Sequence, residues 1–174
     1  KLLSYANTVF FKRREEVSTI KQAVVTLGLS EFQRFISILL SATMCKGRSN
    51  ELVRLSLFRG KFCELLCESI PSQARNASEA FLAGLLSLID ALFSESKARA
   101  IEKLSLSSAI EKALLRQHGL LAVYIEMATA CEQGDWGKTI VLLEKKKFNA
   151  DITQINQLAI EWADNQMGFL NLAK

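Results

Sequence analysis

The segment from Ala80 to Leu92 is apolar nearly all round, with Phe81, Leu82, Leu85, Leu86, Leu88, Ile89 and Leu92 leaving no polar face. A helix without a polar face has to be buried on every side, so this one predicts a bundle in which other helices surround it. The rest of the chain suits that arrangement. Its 174 residues hold one proline, Pro71, and eight glycines, so long stretches run without a breaker. No segment alternates convincingly as a strand, and there is no Gly-rich phosphate loop. The expectation is an all-α protein, a multi-helix bundle built as one domain or as two small helical lobes sharing a core.

The helix boundaries are marked by caps and stops. Ser18 can cap a helix through Ile20, Ala23, Val24 and Leu27, which Gly28 ends. Ser30 with Gln33 has capping-box spacing before Phe35, Ile36, Leu39 and Leu40. A long helix follows from about Asn50 to Ser69, with Leu52, Leu55, Phe58, Phe62, Leu65 and Leu66 on one broad face, and Pro71 closes it. Asn76 with Glu79 repeats the capping box before the central helix, and Ser94 and Ser108 open two shorter ones. Leu120 to Gln133 comes next and stops at Gly134; Asp135 caps Trp136 to Lys146. Asp151 with Gln154 caps the last helix, whose buried stripe is Ile152, Ile155, Leu158, Trp162 and Phe169. The opening Lys1 to Ala6 reads as the end of a helix whose start is missing, as expected of a piece of a longer chain.

Charge and cysteine usage exclude several functions. With 22 basic and 18 acidic side chains the net charge is only +4, and the two basic runs, Lys12-Arg13-Arg14 and Lys145-Lys146-Lys147, have glutamates beside them. A solvated helix end or turn is the expectation for both, and nucleic acid is not the expected partner. Cys45, Cys63, Cys67 and Cys131 form no CxxC pair, and the lone His118 cannot complete a zinc site, so free buried thiols are expected. No apolar run is long enough for a bilayer and no signal peptide is visible, which points to a cytoplasmic protein without membrane contact. Catalytic groups are few. His118 sits in the polar end of a helix, Arg116-Gln117-His118-Gly119, where it suits the helix dipole. Asp90 interrupts the apolar central helix and needs a partner there: it is expected at a helix–helix edge with an Arg or a hydroxyl, with a buried acid of raised pKa as the sharper alternative.

Specific residues carry a resemblance. Leu2-Leu3-Ser4-Tyr5-Ala6-Asn7-Thr8, then Gln22-Ala23, then Leu27-Gly28, resembles the opening of HDOD domains, helical relatives of the HD metal-dependent phosphohydrolases. Gly84-Leu85-Leu86 resembles the Gly-Leu-Leu that precedes the metal-binding His-Asp of HD proteins, so Ser87 and Leu88 stand in the place of that pair. Leu55 occupies the place of the first metal-binding His. Phe62-Cys63-Glu64-Leu65-Leu66, Leu88-Ile89-Asp90-Ala91-Leu92, Gly134-Asp135-Trp136 and Trp162-Ala163 resemble the HDOD half of bacterial proteins that join it to an EAL domain, the cyclic-di-GMP phosphodiesterase fold. The resemblance spans residues 1–174 as one domain. No EAL sequence is present.

The resemblance implies a regulatory module of bacterial signal transduction, linked to cyclic di-GMP, that acts by protein–protein docking and catalyses nothing. It implies no metal and no cofactor, since leucine and serine at the HD positions supply no ligand set. The partner is expected to be a separate protein or an upstream EAL-like domain, with self-pairing as a further option. Phe10, Phe11, Lys12, Arg13 and Arg14 are the expected contact segment, two large apolar groups beside three cations. Asn7 and Gln22 are further candidates, with a helix-linking hydrogen bond as their alternative role. Trp136 and Trp162 are expected to pack in the core or at an interface between lobes, rather than to serve as aromatic platforms. The rival functions are a residual phosphohydrolase with a rearranged site around Asp90, and a weakly basic nucleic-acid-binding domain.

Overall fold

The computed structural model describes residues 50–93, 96–102 and 106–172, without the side chains of Phe93 and of residues 169–172. The chain divides into two compact units, Lys1–Thr43 and Met44–Lys174, and the described residues all belong to the second. Cys45 lies outside them.

The described residues form α1 (Asn50–Glu68), α2 (Ala77–Leu86), α3 (Ile89–Phe93), α4 (Lys97–Glu102), α5 (Ser108–Arg116), α6 (Leu120–Glu132), α7 (Trp136–Lys146) and α8 (Ile152–Leu172), with a 3₁₀ turn at Ala74–Asn76 and no strand. This is the expected all-α bundle. At its centre α1 lies against α2, and the pair is enclosed by α6 and α8, with α5 closing on α2 and α6. Phe62, Cys63 and Leu66 of α1, Phe81 and Leu85 of α2, Met127 and Ala128 of α6, and Ala159 and Ala163 of α8 meet in the core, all fully buried.

Two glycines set the α1–α2 spacing. A Cβ on Gly84 would lie 2.3 Å from the Arg59 carbonyl oxygen and 2.9 Å from Gly60 Cα, while one on Gly60 would sit 3.2 Å from the Phe81 ring and backbone. The helices therefore touch backbone to backbone, which explains why α1 turns a different face inward from the one expected. Val53, Leu57, Gly60, Cys63 and Cys67 are buried beside Phe58, Phe62 and Leu66, whereas Leu52, Leu55 and Leu65 are only half-buried.

The expected central helix is two helices. It breaks at Ser87–Leu88, where Ser87 N–H bonds the Gly84 carbonyl at 3.1 Å in a tightened last turn. Lys97 Nζ then takes the Ser87 carbonyl at 2.9 Å.

The α8 stripe also shifts. Ile152, Ile155, Ala159 and Ala163 are buried, and Leu158 is 43% exposed, because the two alanines let α8 approach α1 closely. Trp162 sits at the edge, its ring 5.8 Å from Phe81 in a T-shaped contact and 5.8 Å beneath Lys61 Nζ. Trp136 is not in the core: it is 44% exposed at the start of α7, a helix whose one fully buried residue is Thr139.

Ser18, Gly28, Ser30 with Gln33, and Ser94 lie outside the described residues; of the other signals those at Asp135, Asp151 and Gly134 hold. Asp135 Oδ1 accepts from Lys138 N–H and Asp151 Oδ1 from Gln154 N–H, each at 3.0 Å. Gly134 stops α6 with φ +71°. Ser107, one residue earlier than expected, caps α5 by accepting from Ile110 N–H at 3.3 Å. The Asn76–Glu79 box does not form. Asn76 donates to Gln73 Oε1 at 3.2 Å, and Glu79 accepts from the Ser107 hydroxyl instead.

The glycine contact generates a paired prediction. Gly84→Ala should destabilise the protein by about 1–3 kcal/mol despite the better helix propensity of alanine, because the clash is with backbone. Gly168→Ala, at an exposed α8 position with nothing within 4 Å, should stabilise by up to about 1 kcal/mol. Urea melts of both variants check this; equal shifts would refute a tight crossing.

A second prediction concerns the thiols. Burial pushes Cys63, Cys67 and Cys131 above the ordinary range. Unfolded thiols ionise near about pH 8.5 while these stay protonated, so the unfolded state loses protons first. Stability is then flat below that point and falls as pH rises past it. Urea melts from about pH 7 to about pH 9.5 should show this fall, and Cys63→Ala should make it shallower.

Candidate functional site

The break after α2 faces a charged cluster. Because Gly84 rests on the backbone at Arg59, the residue three positions on, Ser87, comes alongside the Arg59 side chain, with Arg59 Nη1 donating to Ser87 Oγ at 3.4 Å. Arg59 emerges from the apolar face of α1 between Phe58 and Gly60 and is 9% exposed. A cation there needs a partner, and Glu132 at the end of α6 supplies both carboxylate oxygens: Nε to Oε2 at 2.7 Å and Nη2 to Oε1 at 3.1 Å.

Around this fork lies a cavity of about 410 Å³, lined among others by Arg59, Ser87, Lys97, Gln117, Glu126 and Lys138. Its cations are answered one by one. Lys138 Nζ is 2.9 Å from Glu126, and Lys97 Nζ is 3.6 Å from Asp90. The local field is thus close to neutral, a set of paired charges rather than a focused patch.

Ser87 and Leu88, in the place of the HD His-Asp, behave differently from each other. Ser87 is buried and held by Arg59 and Lys97, while Leu88 is half-buried in the turn. Leu55 is half-buried and does not line the cavity; the α1 side chain that reaches Ser87 is Arg59, one turn later. The site does not fit a metal centre of the HD kind. A serine hydroxyl and a leucine stand at the positions to which the resemblance assigns the ligands, and the Arg59 guanidinium beside Ser87 repels a cation. Among the described residues no group of three or more His, Cys, Asp or Glu side chains is placed to share a metal ion.

Of the two readings of Asp90, the structure gives the edge position and not the buried acid, with Lys97 as the partner in place of an Arg or a hydroxyl. Its side chain is 46% exposed, because the break at 87–88 starts a new helix and turns this position outward to Lys97. Asn7, Phe10, Phe11, Lys12, Arg13, Arg14 and Gln22 lie outside the described residues. The residues that sequence reasoning missed are Arg59, Glu132 and Lys97. A signal for the first was present: an arginine within an apolar helical run demands a partner just as Asp90 did.

The ion pair yields a double-mutant prediction. Arg59→Met and Glu132→Leu should each cost about 3 kcal/mol by leaving one charge buried alone. The double variant should cost about 3–5 kcal/mol rather than the sum of about 6 kcal/mol, giving a coupling of about 1–3 kcal/mol in chemical denaturation. Additive losses would show that the pair contributes no mutual stabilisation.

The HDOD domain model matches residues 1–98. The chain is 31% identical over 136 residues to the cyclic di-GMP phosphodiesterase CdgJ of Vibrio cholerae, covering 78% of this chain and 31% of that protein. It is 29% identical over 169 residues to the uncharacterized protein YuxH of Bacillus subtilis, covering 95% of this chain and 41% of YuxH. The chain thus spans a third to two-fifths of the length of these curated relatives. No solved structure matches it. With the family model covering more than half of the chain, and an all-helical bundle whose Gly84-Leu85-Leu86 runs into a Ser-Leu break, the chain belongs to the HDOD family.

Proposed function

We propose that this chain is a non-catalytic signalling module that acts by docking onto a protein partner in a cyclic-di-GMP-linked bacterial pathway. The observation that carries this reading is the substitution of the HD centre by a neutral network. Ser87 is clamped by Arg59 and Lys97, and Arg59 is itself tied to Glu132. Ser87 has a cation rather than a base as its side-chain partner, so nothing there activates it as a nucleophile. The link to cyclic di-GMP rests on the likeness to CdgJ, whose name assigns it phosphodiesterase activity. In this reading that chemistry belongs to an EAL-like domain, of which these residues carry no sequence.

Docking is supported by α7. Trp136, Ile140 and Val141 are 44%, 55% and 59% exposed on a helix that ends in Lys145 and Lys146, with Lys147 just beyond. An apolar stripe beside three lysines suits a protein surface with apolar anchors and a carboxylate rim. Among the described residues no helix is long and apolar enough to cross a membrane.

The test has two arms. Calorimetry with Mn²⁺ and Mg²⁺, together with hydrolysis of bis-p-nitrophenyl phosphate, should give no stoichiometric metal binding and no turnover; turnover abolished by Ser87→Ala would refute the non-catalytic reading. In cells, a photo-crosslinking residue at Ile140 of the full-length parent should give one discrete adduct. Reversing Lys145, Lys146 and Lys147 to glutamate should abolish it, and an adduct indifferent to that reversal would refute the charge-guided dock.

A further inference from the structure

Helix α7 meets the bundle with one side. Thr139 is buried, and Leu142 and Leu143 are half-buried, on the side that packs on α6. At about 100° per residue, Trp136, Ile140, Glu144, Gly137, Val141 and Lys145 follow one another across the opposite side, and all six are exposed. This side holds apolar groups, a carboxylate, an ammonium and a glycine. A Cβ on Gly137 would meet only Asp135 Oδ1, at 3.7 Å, so nothing within the chain calls for a glycine there.

The arrangement is complementary to itself. The exposed side is centred between Ile140 and Val141. A two-fold axis through that point, with a second α7 running antiparallel, sets Ile140 against Val141, Gly137 against Glu144 and Trp136 against Lys145 of the second copy. Each match is favourable, and the symmetry makes each of them twice. Ile140 and Val141 cover one another at the axis. The Glu144 side chain passes over Gly137 of the second copy, where no side chain obstructs it. It thereby reaches the first turn of that helix, the positive end of its dipole. At the flanks a lysine ammonium meets the indole of Trp136, a cation–π pair. A parallel pairing does the reverse: it lays Lys145 and Lys146 beside their own copies and leaves Trp136 without a cation.

We propose that α7 pairs with α7 of a second copy of this chain, antiparallel about a two-fold axis between Ile140 and Val141. The inference rests on the docking reading and names the occupant of that surface, whose apolar anchors and carboxylate are those of α7 itself. The contact is small. Eleven residues of helix measure about 16 Å, so the interface falls below the standard size and the pair is weak, with a Kd of about 10–100 µM.

Sedimentation equilibrium of the full chain from about 5 to about 500 µM should follow a monomer–dimer equilibrium in that range. Ile140→Asp and Gly137→Leu, both at exposed positions, should each weaken it at least tenfold while the urea midpoint shows that the monomer stays folded. Leu115→Asp, on the exposed side of α5, should leave it unchanged. Oxidation of an equimolar mixture of Trp136→Cys and Lys145→Cys chains should join residue 136 of one to residue 145 of the other, as located by peptide mapping. A chain that stays monomeric throughout, a dimer indifferent to Ile140→Asp, or a bond joining residue 136 to its own copy would each overturn the pairing. The adduct formed at Ile140 in cells separates this inference from the docking reading. An adduct of twice the parent's mass containing only its peptides supports self-pairing. One that contains another protein overturns it and leaves docking standing, and no adduct removes both.

Discussion

The backbone contact between α1 and α2 is the constraint on which the rest of the described fold depends. Gly84 has no room for a side chain against Arg59 and Gly60, so the two helices lie closer than any pair spaced by larger residues. That closeness gives α2 its burial on nearly all sides, fixes which face of α1 points inward, and sets Ser87 against Arg59. A glycine that reads as one letter of a family motif is therefore also the element that fixes the helix spacing.

The same contact explains the chemistry of the site. In this position an HD protein of the metal-dependent kind would bring imidazole and carboxylate groups onto an ion. Here the crossing brings a guanidinium, and the carboxylate that answers it comes from a distant helix, 73 residues on in the chain. The bidentate geometry accepts only one placement of the end of α6 relative to α1. A buried ion pair adds little net stability compared with apolar packing, but it penalises every other placement by leaving a charge alone. The site has become a positional lock between α1 and α6.

Much of this was legible in sequence, and the failures have physical causes. Helix existence followed from period and caps, and Asp135, Asp151 and Gly134 act as their letters suggest. The α1 and α8 faces were misjudged because leucines were weighted by size. The fold instead buries Gly60, Ala159 and Ala163 where helices come closest and leaves Leu55 and Leu158 nearer the surface. Trp136 does not take the core place of its two expected ones, since a large aromatic ring is usually buried and this one is not. The break at Ser87 had no breaker residue to announce it: its carbonyl is drawn off the helix by Lys97, a tertiary contact that no local pattern encodes. Arg59 signalled its need for a partner, but Glu132, 73 residues on, can be named as that partner only once the helices are packed.

One helix bears on everything functional. Along α6, Val123, Glu126 and Thr129 face the cavity beside Arg59, while Leu121 and Tyr124 face a second cavity beside Lys112. Its C-terminal end is held by the Arg59 fork, whereas its N-terminal end carries no side-chain cap. A helix is stiff along its axis, so any shift or rotation of α6 reshapes both cavities together and strains the ion pair at its far end. It also carries α7 with it, since α7 packs on α6 and Lys138 is tied to Glu126. The cavity wall at Glu126 is thus connected to the exposed Trp136–Val141 stripe through covalent helix and paired charges.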